Sequence, residues 1–233
     1  MTITPATLKG NRDFSSTEIT RRTYLKMALQ KSFECYGFQP IETPAMERLE
    51  TLSGNYGEEG ERLIFKILNS GEKIKKADLA SLQAEEYKRF SQSLSEKALR
   101  YDLTVPLARY VAQHYNELSF PFRRYQIQPV WRADRPQHGR FQEFYQCDAD
   151  IIGERSLWQE VEMVRLYDTA FKALGLRGTK LKINHRNILA SVAECIDAKD
   201  KLNDLTLTLD LSLIHISEPT RPLYISYAVF CLK

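Results

Sequence analysis

A cluster of arginines in this sequence is followed, a few residues later, by an amide and two carboxylates. Arg132 and Arg140 lie at the two ends of a basic segment, and Gln146, Asp148 and Asp150 then recur at every second position. A guanidinium stays protonated and presents a planar set of donors to carboxylates and phosphates. Amide and carboxylate oxygens accept hydrogen bonds from positively charged donors. Together these residues indicate a site for a ligand that carries both negative and positive groups.

The elements that position these residues are predicted to be two β-strands within Phe122–Gly153. Pro136 and Gly139 interrupt the strands and mark the connecting loop. Because side chains alternate between the two faces of a strand, the return strand separates an apolar face from a polar one. The apolar face carries Tyr145, Cys147, Ala149 and Ile151, and the polar face carries Phe144, Gln146, Asp148 and Asp150.

The flanking segments predict an α+β fold in which helices pack around an antiparallel sheet. Ser15 and Glu18 form a capping box for a helix to about Tyr36, which Gly37 ends. The other predicted elements are an extended edge segment at Phe38–Pro44, a loop or short helix at 45–61, a strand at Arg62–Leu68, a polar insertion at 69–96, a strand at Ala98–Tyr101, a helix capped by Thr104, a helix from Ser156 with Val161, Val164, Phe171 and Leu174 inward, a strand at Lys180–Asn184, and a helix at 187–198. In the first helix, Leu25, Leu29 and Phe33 form one stripe.

Composition places the chain among ordinary globular proteins. It has 233 residues and a net charge of +3, so charge alone does not indicate a nucleic-acid partner. The four cysteines are scattered without a paired motif, which argues against a disulfide scaffold or a metal site and fits a reducing cytoplasm. We find no signal peptide and no apolar run of membrane-spanning length, and so expect no membrane partner.

Several blocks of the chain resemble histidyl-tRNA synthetase, a class II aminoacyl-tRNA synthetase. The blocks occur in the family's order: Lys9-Gly-Asn-Arg-Asp-Phe14, Leu99-Arg-Tyr-Asp-Leu-Thr-Val-Pro106, Trp131–Arg140, Phe144-Tyr-Gln146 and Asp150. Arg132 to Asp134 is similar to the class II motif 2, with Asp where many class II enzymes have Glu. Gly37 to Pro44 resembles motif 1. The resemblance implies a class II catalytic domain over residues 1–210, incomplete, with 69–96 as an insertion.

The resemblance implies ATP-dependent activation of L-histidine to histidyl-adenylate, followed by transfer to tRNA(His). Catalysis would rest on positioning and electrostatics, with Arg132 on the α-phosphate. The resemblance assigns Arg132, Asp134, Arg140 and Phe144 to ATP, and Asp102, Thr104, Gln146 and Asp150 to histidine. It also implies Mg²⁺ bridging the phosphates, no metal ligands of the protein's own, and a cytoplasmic homodimer in which motif 1 supplies the interface.

Each of these residues, taken singly, could instead have an ordinary structural role. Arg132 and Asp134 could form a surface ion pair, Asp102 could begin a helix, Phe144 could be core, and Gln146 with Asp150 could be the wet face of a sheet. The ordered set of blocks favours the synthetase. A second hypothesis is the synthetase-like regulatory subunit of ATP phosphoribosyltransferase, although such a regulator has no need of the residues on the ATP side. A third is an open reading frame without a cellular product.

The end of the chain departs from the family pattern. The family's second α-phosphate arginine, its motif 3 and its anticodon-binding domain are not found, so the fragment is expected to be inactive or nearly so. Leu211–Arg221 and Ile225–Leu232 look like translations of the adaptor DNA used in sequencing libraries. We therefore expect residues 211–233 to be a non-native, adaptor-derived tail.

Overall fold

A computed structural model of the chain describes residues 4–137, 139–183, 186–202, 204 and 206, without the side chains of residues 58, 59 and 186. The chain divides into two compact units, Met1–Arg177 and Gly178–Lys233. The first unit contains α1 (Ser16–Cys35), β1 (Gln39–Pro40), β2 (Met46–Arg48), α2 (Leu49–Leu52), α3 (Gly57–Arg62), β3 (Lys66–Ile67), a 3-10 helix (Gly71–Lys76), α4 (Leu79–Gln83), α5 (Tyr87–Ser93), β4 (Lys97–Leu99), α6 (Thr104–Gln113), β5 (Phe122–Trp131), β6 (Glu143–Ile152) and α7 (Trp158–Ala173). The second contains α8 (Arg186–Cys195) and a 3-10 helix (Lys199–Lys201).

The strands of the first unit form two three-stranded sheets, in the orders β1-β5-β6 and β2-β4-β3. All pairs are antiparallel except β1 with β5, which run parallel from Gln39 opposite Arg124. The α+β class with an antiparallel sheet flanked by helices is therefore confirmed. Of the extended edge segment predicted at Phe38–Pro44, only Gln39–Pro40 forms a strand, and this β1 is an outer strand of its sheet.

The hairpin of β5 and β6 has the two faces that the alternation predicts. Cys147, Ala149 and Ile151 pack against a buried cluster that includes Phe33 from α1 and Leu166 from α7. Tyr145 lies on the same face but nearer the rim, 42% exposed. The even-numbered residues occupy the opposite face, which leaves the polar side chains together on one surface of the sheet.

Both ends of α1 follow local rules. The Ser15 hydroxyl accepts from the Glu18 N–H, and the Glu18 carboxylate accepts from the Ser15 N–H at 2.8 Å. At the other end Gly37 adopts φ +75°, and the Phe38 N–H donates to the Phe33 carbonyl, as in a Schellman motif. The predicted apolar stripe is shorter than expected, because Leu25 is 47% exposed.

Arg100, at the end of β4, ties the two sheets together. It is 1% exposed, and its Nε donates to the Pro129 carbonyl at 2.8 Å. Its Nη1 donates to the Thr43 carbonyl at 2.6 Å and to Gln128 Oε1 at 3.1 Å. The Trp131 N–H in turn donates to the Arg100 carbonyl. A single buried guanidinium thus fixes the end of β5, from which the basic loop departs.

The shorter predicted elements differ from the structure. Within Arg62–Leu68 only Lys66–Ile67 is a strand, because Arg62 ends α3. No strand forms over 180–183, where every residue is exposed, and Asn184 lies outside the described residues. The helix predicted from Ser156 begins at Trp158, and Val161 is 44% exposed because Leu166 and Ala170 form its buried side.

The remaining predictions need few corrections. The insertion at 69–96 is polar with short helical turns, and the helix predicted at 187–198 ends at Cys195. Residues 211–233 lie outside the described residues, so a boundary at 210 stays a prediction. Within the described ranges, no helix is both long enough and apolar enough to span a bilayer.

Candidate active site

The polar face of the hairpin carries three cross-strand pairs in register. Arg124 lies opposite Asp150, Gln126 opposite Asp148, and Gln128 opposite Gln146. Since opposed side chains on one face of a sheet are neighbours, the acidic groups of β6 lie beside the donors of β5. The chemistry inferred from β6 alone is therefore extended by an arginine that the sequence analysis did not assign.

Arg124 is fully buried, at 0% exposure. Its Nη2 lies 2.6 Å from Asp150 Oδ2, which is ion-pair distance but lacks the angle of a hydrogen bond. Its Nη1 donates to Gln126 Oε1 at 3.3 Å. Burial lowers the pKa of Arg124, although an arginine still remains protonated at neutral pH. In the described part of the chain its Nε has no hydrogen-bond partner.

The two carboxylates of β6 differ in their surroundings. Burial raises the pKa of Asp148 to about 6, and the neighbouring Asp150 and Asp102 raise it further, while Arg124 and Arg132 oppose the shift. Burial and the charge of Asp148 also raise the pKa of Tyr167 on α7. The face is consequently a desolvated, electronegative surface at neutral pH.

Gln146 presents a buried oxygen to the same face. Among the described residues Gln146 Oε1 accepts no hydrogen bond, although it has almost no contact with solvent. A buried acceptor without a donor costs free energy, about 1–3 kcal/mol. This atom is therefore suited to a donor that arrives with a ligand.

Asp102 stands at the amino-terminal end of α6 and has two functions there. Its Oδ1 accepts from the N–H groups of Thr104 and Val105, at 3.1 and 3.2 Å. It also accepts from the Tyr56 hydroxyl at 2.8 Å. The cap predicted for Thr104 is thus supplied by Asp102, and the exposed Thr104 contributes its backbone N–H.

Tyr56 is a site residue that the sequence analysis missed. Its pKa is raised by burial and then by Asp102, and its ring lies 4.6 Å from that of Tyr101. It belongs to the segment predicted only as a loop or short helix, where no periodicity indicates which side chains turn inward.

Arg132 follows β5 directly and is held by aromatic and backbone groups. Its Nε donates to the Tyr101 carbonyl at 3.1 Å. Its guanidinium lies 4.3 Å from the centre of the Tyr101 ring and 5.2 Å from that of Phe144. In the described ranges neither Nη group makes a hydrogen bond, which leaves both available to an anion.

The loop after Arg132 packs against the amino-terminal segment. The Gln142 N–H donates to the Gly10 carbonyl at 2.8 Å, and a Cβ at Gly10 would lie 2.8 Å from Gln142 Cγ. The Arg12 guanidinium lies 3.7 Å from the centre of the Phe141 ring. Gly10 and Arg12 of the first sequence block thus support the loop. The close approach of Gln142 explains why residue 10 is a glycine.

Asp134 and Arg140 lie on this loop, before and after its turn at Gly139. The Asp134 side chain is 15% exposed and the Arg140 side chain 59% exposed, with 3.9 Å between Arg140 Nη1 and Asp134 Oδ1. The Asp134 carbonyl accepts from Gln142 Nε2 at 3.0 Å. Asp134 is consequently fixed, while the Arg140 side chain extends into solvent.

Arg132, predicted for ATP, and Asp102 and Asp150, predicted for histidine, lie near one another around Asp148. Asp148 responds to Arg124 and Asp150 on the hairpin, and also to Asp102 before α6 and Arg132 after β5. Residues 74–211 match the family model described as histidyl-tRNA synthetase. The chain belongs to the histidyl-tRNA synthetase family.

Known proteins of this family resemble the chain over most of its length. It is 60% identical over 206 residues to the histidine–tRNA ligase of Christiangramia forsetii, covering 88% of this chain and 45% of that protein. Among solved structures, histidyl-tRNA synthetase from Nostoc sp. PCC 7120 is 34% identical with a TM-score of 0.56, covering 74% of this chain and 33% of that one.

A further structure shares the fold at lower identity. It is described as an ATP phosphoribosyltransferase regulatory subunit/histidyl-tRNA synthetase from Bacillus halodurans, with 22% identity and a TM-score of 0.69, covering 92% of this chain and 51% of that one. The chain thus spans about half the length, or less, of the histidyl-tRNA synthetase relatives it matches. The class II synthetase-like fold expected from the sequence is confirmed.

Proposed function

We propose that the chain forms part of the catalytic domain of a histidine–tRNA ligase. The whole protein would activate L-histidine with ATP to histidyl-adenylate and transfer the histidyl group to tRNA(His). One observation supports this most strongly: Arg132, whose Nη groups form no hydrogen bond among the described residues, is held by Tyr101 and Phe144 near the acidic face that carries Asp148. The anion and the cation of the two substrates would each meet a complementary group there.

Arg132 is proposed as the catalytic residue. The substrate carboxylate would attack the α-phosphorus, the bond from that phosphorus to the bridging oxygen would break, and pyrophosphate would leave while negative charge develops on the phosphate oxygens. The Nη groups of Arg132 would donate to those oxygens, while the Tyr101 carbonyl and two aromatic rings hold the guanidinium in place. A donor fixed before the reaction stabilises the transition state without reorganising.

The histidine substrate would lie on the acidic face. Gln146 Oε1 and Asp102, with Thr104, would receive the α-ammonium group, and Asp150 would accept from an imidazole N–H. The unpartnered oxygen of Gln146 supports this placement, because an ammonium donor removes its desolvation cost. An amino acid without a ring N–H would leave unused the acceptor that Asp150 presents beside Arg124, and this loss gives discrimination.

ATP would lie on the side of the basic loop. Phe144 would stack on adenine, Asp134 would contact the adenine edge, and the exposed Arg140 would fold onto the phosphates. Mg²⁺ would neutralise the phosphates. Among the described residues, no three His, Cys, Asp or Glu side chains gather as a metal site.

The cellular setting is proposed on the same basis. The whole protein would be cytoplasmic and homodimeric, with the Gly37–Pro44 segment at the dimer interface. The regulatory-subunit hypothesis predicts histidine binding without adenylate formation. The Nη groups of Arg132, which form no hydrogen bond among the described residues, favour the ligase. A protein that only senses histidine has no use for an arginine that is available to bind a phosphate.

Histidine-dependent ATP–pyrophosphate exchange tests the proposal. The full-length product of the gene should exchange, and Arg132→Met should lower kcat/KM by roughly a hundredfold or more. The exposed Arg165→Met on α7 is the matched control and should change little. The 233-residue chain alone should exchange poorly or not at all. A full-length product that binds histidine but never exchanges would support the regulatory subunit and reject the ligase.

A further inference from the structure

Arg124 has no role in the proposed chemistry, yet its placement is unusual. It lies on the middle strand of the sheet, fully buried, with Nε and Nη2 lacking hydrogen bonds among the described residues. A buried charge is costly unless opposite charges and hydrogen bonds compensate it. A sequence under selection only for folding would more readily place an apolar side chain there.

The compensation comes from the residues that face the substrate. Asp150 Oδ2 lies 2.6 Å from Arg124 Nη2, and Asp148 carries a second carboxyl on the same face of the same strand. Two adjacent carboxylates on a desolvated surface repel each other, and one of them would take up a proton if no cation were present. Arg124, on the neighbouring middle strand, is the buried cation that lies beside these two carboxylates.

The contacts on the inner side keep Arg124 in place. Its Nη1 donates to Gln126 Oε1, and Gln126 Nε2 donates to Thr43 Oγ1 at 2.8 Å. Thr43 is also bound by Arg100. The guanidinium is therefore anchored through a buried polar chain, and among the described residues its Nε and Nη2 form no hydrogen bond.

We propose that Arg124 is a positioning residue for histidine binding, which holds the Asp150 carboxylate against the substrate ring. This inference rests on the proposed function. It adds a residue of β5 to a recognition surface assigned so far to β6 and to the start of α6. Arg124 acts through Asp150, because its fully buried guanidinium pairs with that carboxylate, whose own side chain is 39% exposed.

The groups that face Asp148 and Asp150 come from every neighbouring element. They are Arg124 on β5, Arg132 after β5, Asp102 before α6 and Tyr167 on α7. Arg124 lowers the pKa of Asp148, and its removal should raise the pH at which the acidic face ionises. That change predicts a shift in pH dependence, which a residue with a purely structural role would not produce.

The test uses steady-state exchange kinetics of the full-length product with Arg124→Met, Arg124→Lys and Asp150→Asn. We expect Arg124→Met to raise KM for histidine by roughly tenfold or more, with KM for ATP nearly unchanged. The pH profile of kcat/KM for histidine rises on its acidic side, and this acidic limb should move to higher pH. The imidazole of free histidine titrates near pH 6.5 and contributes equally in every variant, so the difference between variants reports on Arg124. Arg124→Lys should restore part of the loss.

The double variant Arg124→Met with Asp150→Asn separates positioning from folding. If Arg124 acts through Asp150, removing it should matter little once Asp150 is neutral. Additive losses, an unmoved acidic limb, or equal effects on histidine and ATP would overturn the inference. If Arg124→Met does not fold, Arg124→Lys and its pH profile decide the question. A wild-type full-length product that fails to exchange would reject the proposed function itself, whatever the variants do.

Discussion

Replacing Asp148 by asparagine should stabilise the folded chain at neutral pH more than at acidic pH. The pKa of Asp148 rises from its ordinary 3.8 to about 6, mainly because of burial. The folded state therefore binds a proton more tightly than the unfolded state does. The stability that protonated Asp148 adds to the folded state is fully present below the pKa of the unfolded state. That stability is lost as the pH rises through the pKa of the folded state.

The size of the effect follows from the two values. Each pKa unit corresponds to about 1.4 kcal/mol, so ionised Asp148 costs the folded state about 3 kcal/mol at neutral pH. Asparagine resembles the protonated acid and does not titrate. The free energy of unfolding of the variant minus that of the wild type should thus increase by about 2 kcal/mol between about pH 4.5 and about pH 7.5.

Urea unfolding of the 233-residue chain, followed by tryptophan fluorescence, measures this difference. The matched control is Asp168→Asn on α7, where the carboxylate is exposed and pairs with Lys172 at the surface. Its effect should stay below about 0.5 kcal/mol at every pH. A difference for Asp148→Asn that is constant with pH, or that falls as pH rises, would refute the argument from desolvation.

Three other predictions concern the framework and the tail. Arg100→Met should lower the free energy of unfolding by about 3–5 kcal/mol, because it leaves buried oxygens without a donor. The control Arg48→Met, at an exposed side chain, should lower it by less than about 0.5 kcal/mol, and urea midpoints compare the two variants. Glu47→Gln should cost about 2 kcal/mol in the same assay, because the 5% exposed Glu47 side chain accepts a forked pair from Arg109. Resequencing the locus should not recover codons for residues 211–233; genomic DNA that encodes them would disprove an adaptor origin.

The hairpin could be predicted because its information is local. Alternation along β6 and the Pro136–Gly139 break determine the faces, and the core under Cys147 agrees with that pattern. β2 was not predicted, and β3 was predicted only within a longer strand over Arg62–Leu68. β2 and β3 span three and two residues, which is too little for a period to be recognised. Their positions depend on pairing with β4, a contact between segments distant in sequence.

The candidate site was predictable only where a motif carried it. Arg132 and Asp102 belong to recognisable blocks, and the structure adds how each is held. Arg124 was not predicted, since an arginine in a strand is ordinarily expected to reach solvent, and only the opposed pair with Asp150 explains its burial. Tyr56 was missed because its contact with Asp102 links a loop to a distant helix end.

The pairing of β6 links the chemistry of one face to the packing of the other. In the part of the chain that the structure describes, β6 pairs with β5 alone, so that strand sets its register. A slip by one residue would turn Gln146, Asp148 and Asp150 into the core and bring Cys147 and Ala149 to the surface. The apolar residues beneath the sheet therefore select the strand register during folding. In the shifted register the polar groups proposed to bind substrate would point into the core, which is unfavourable.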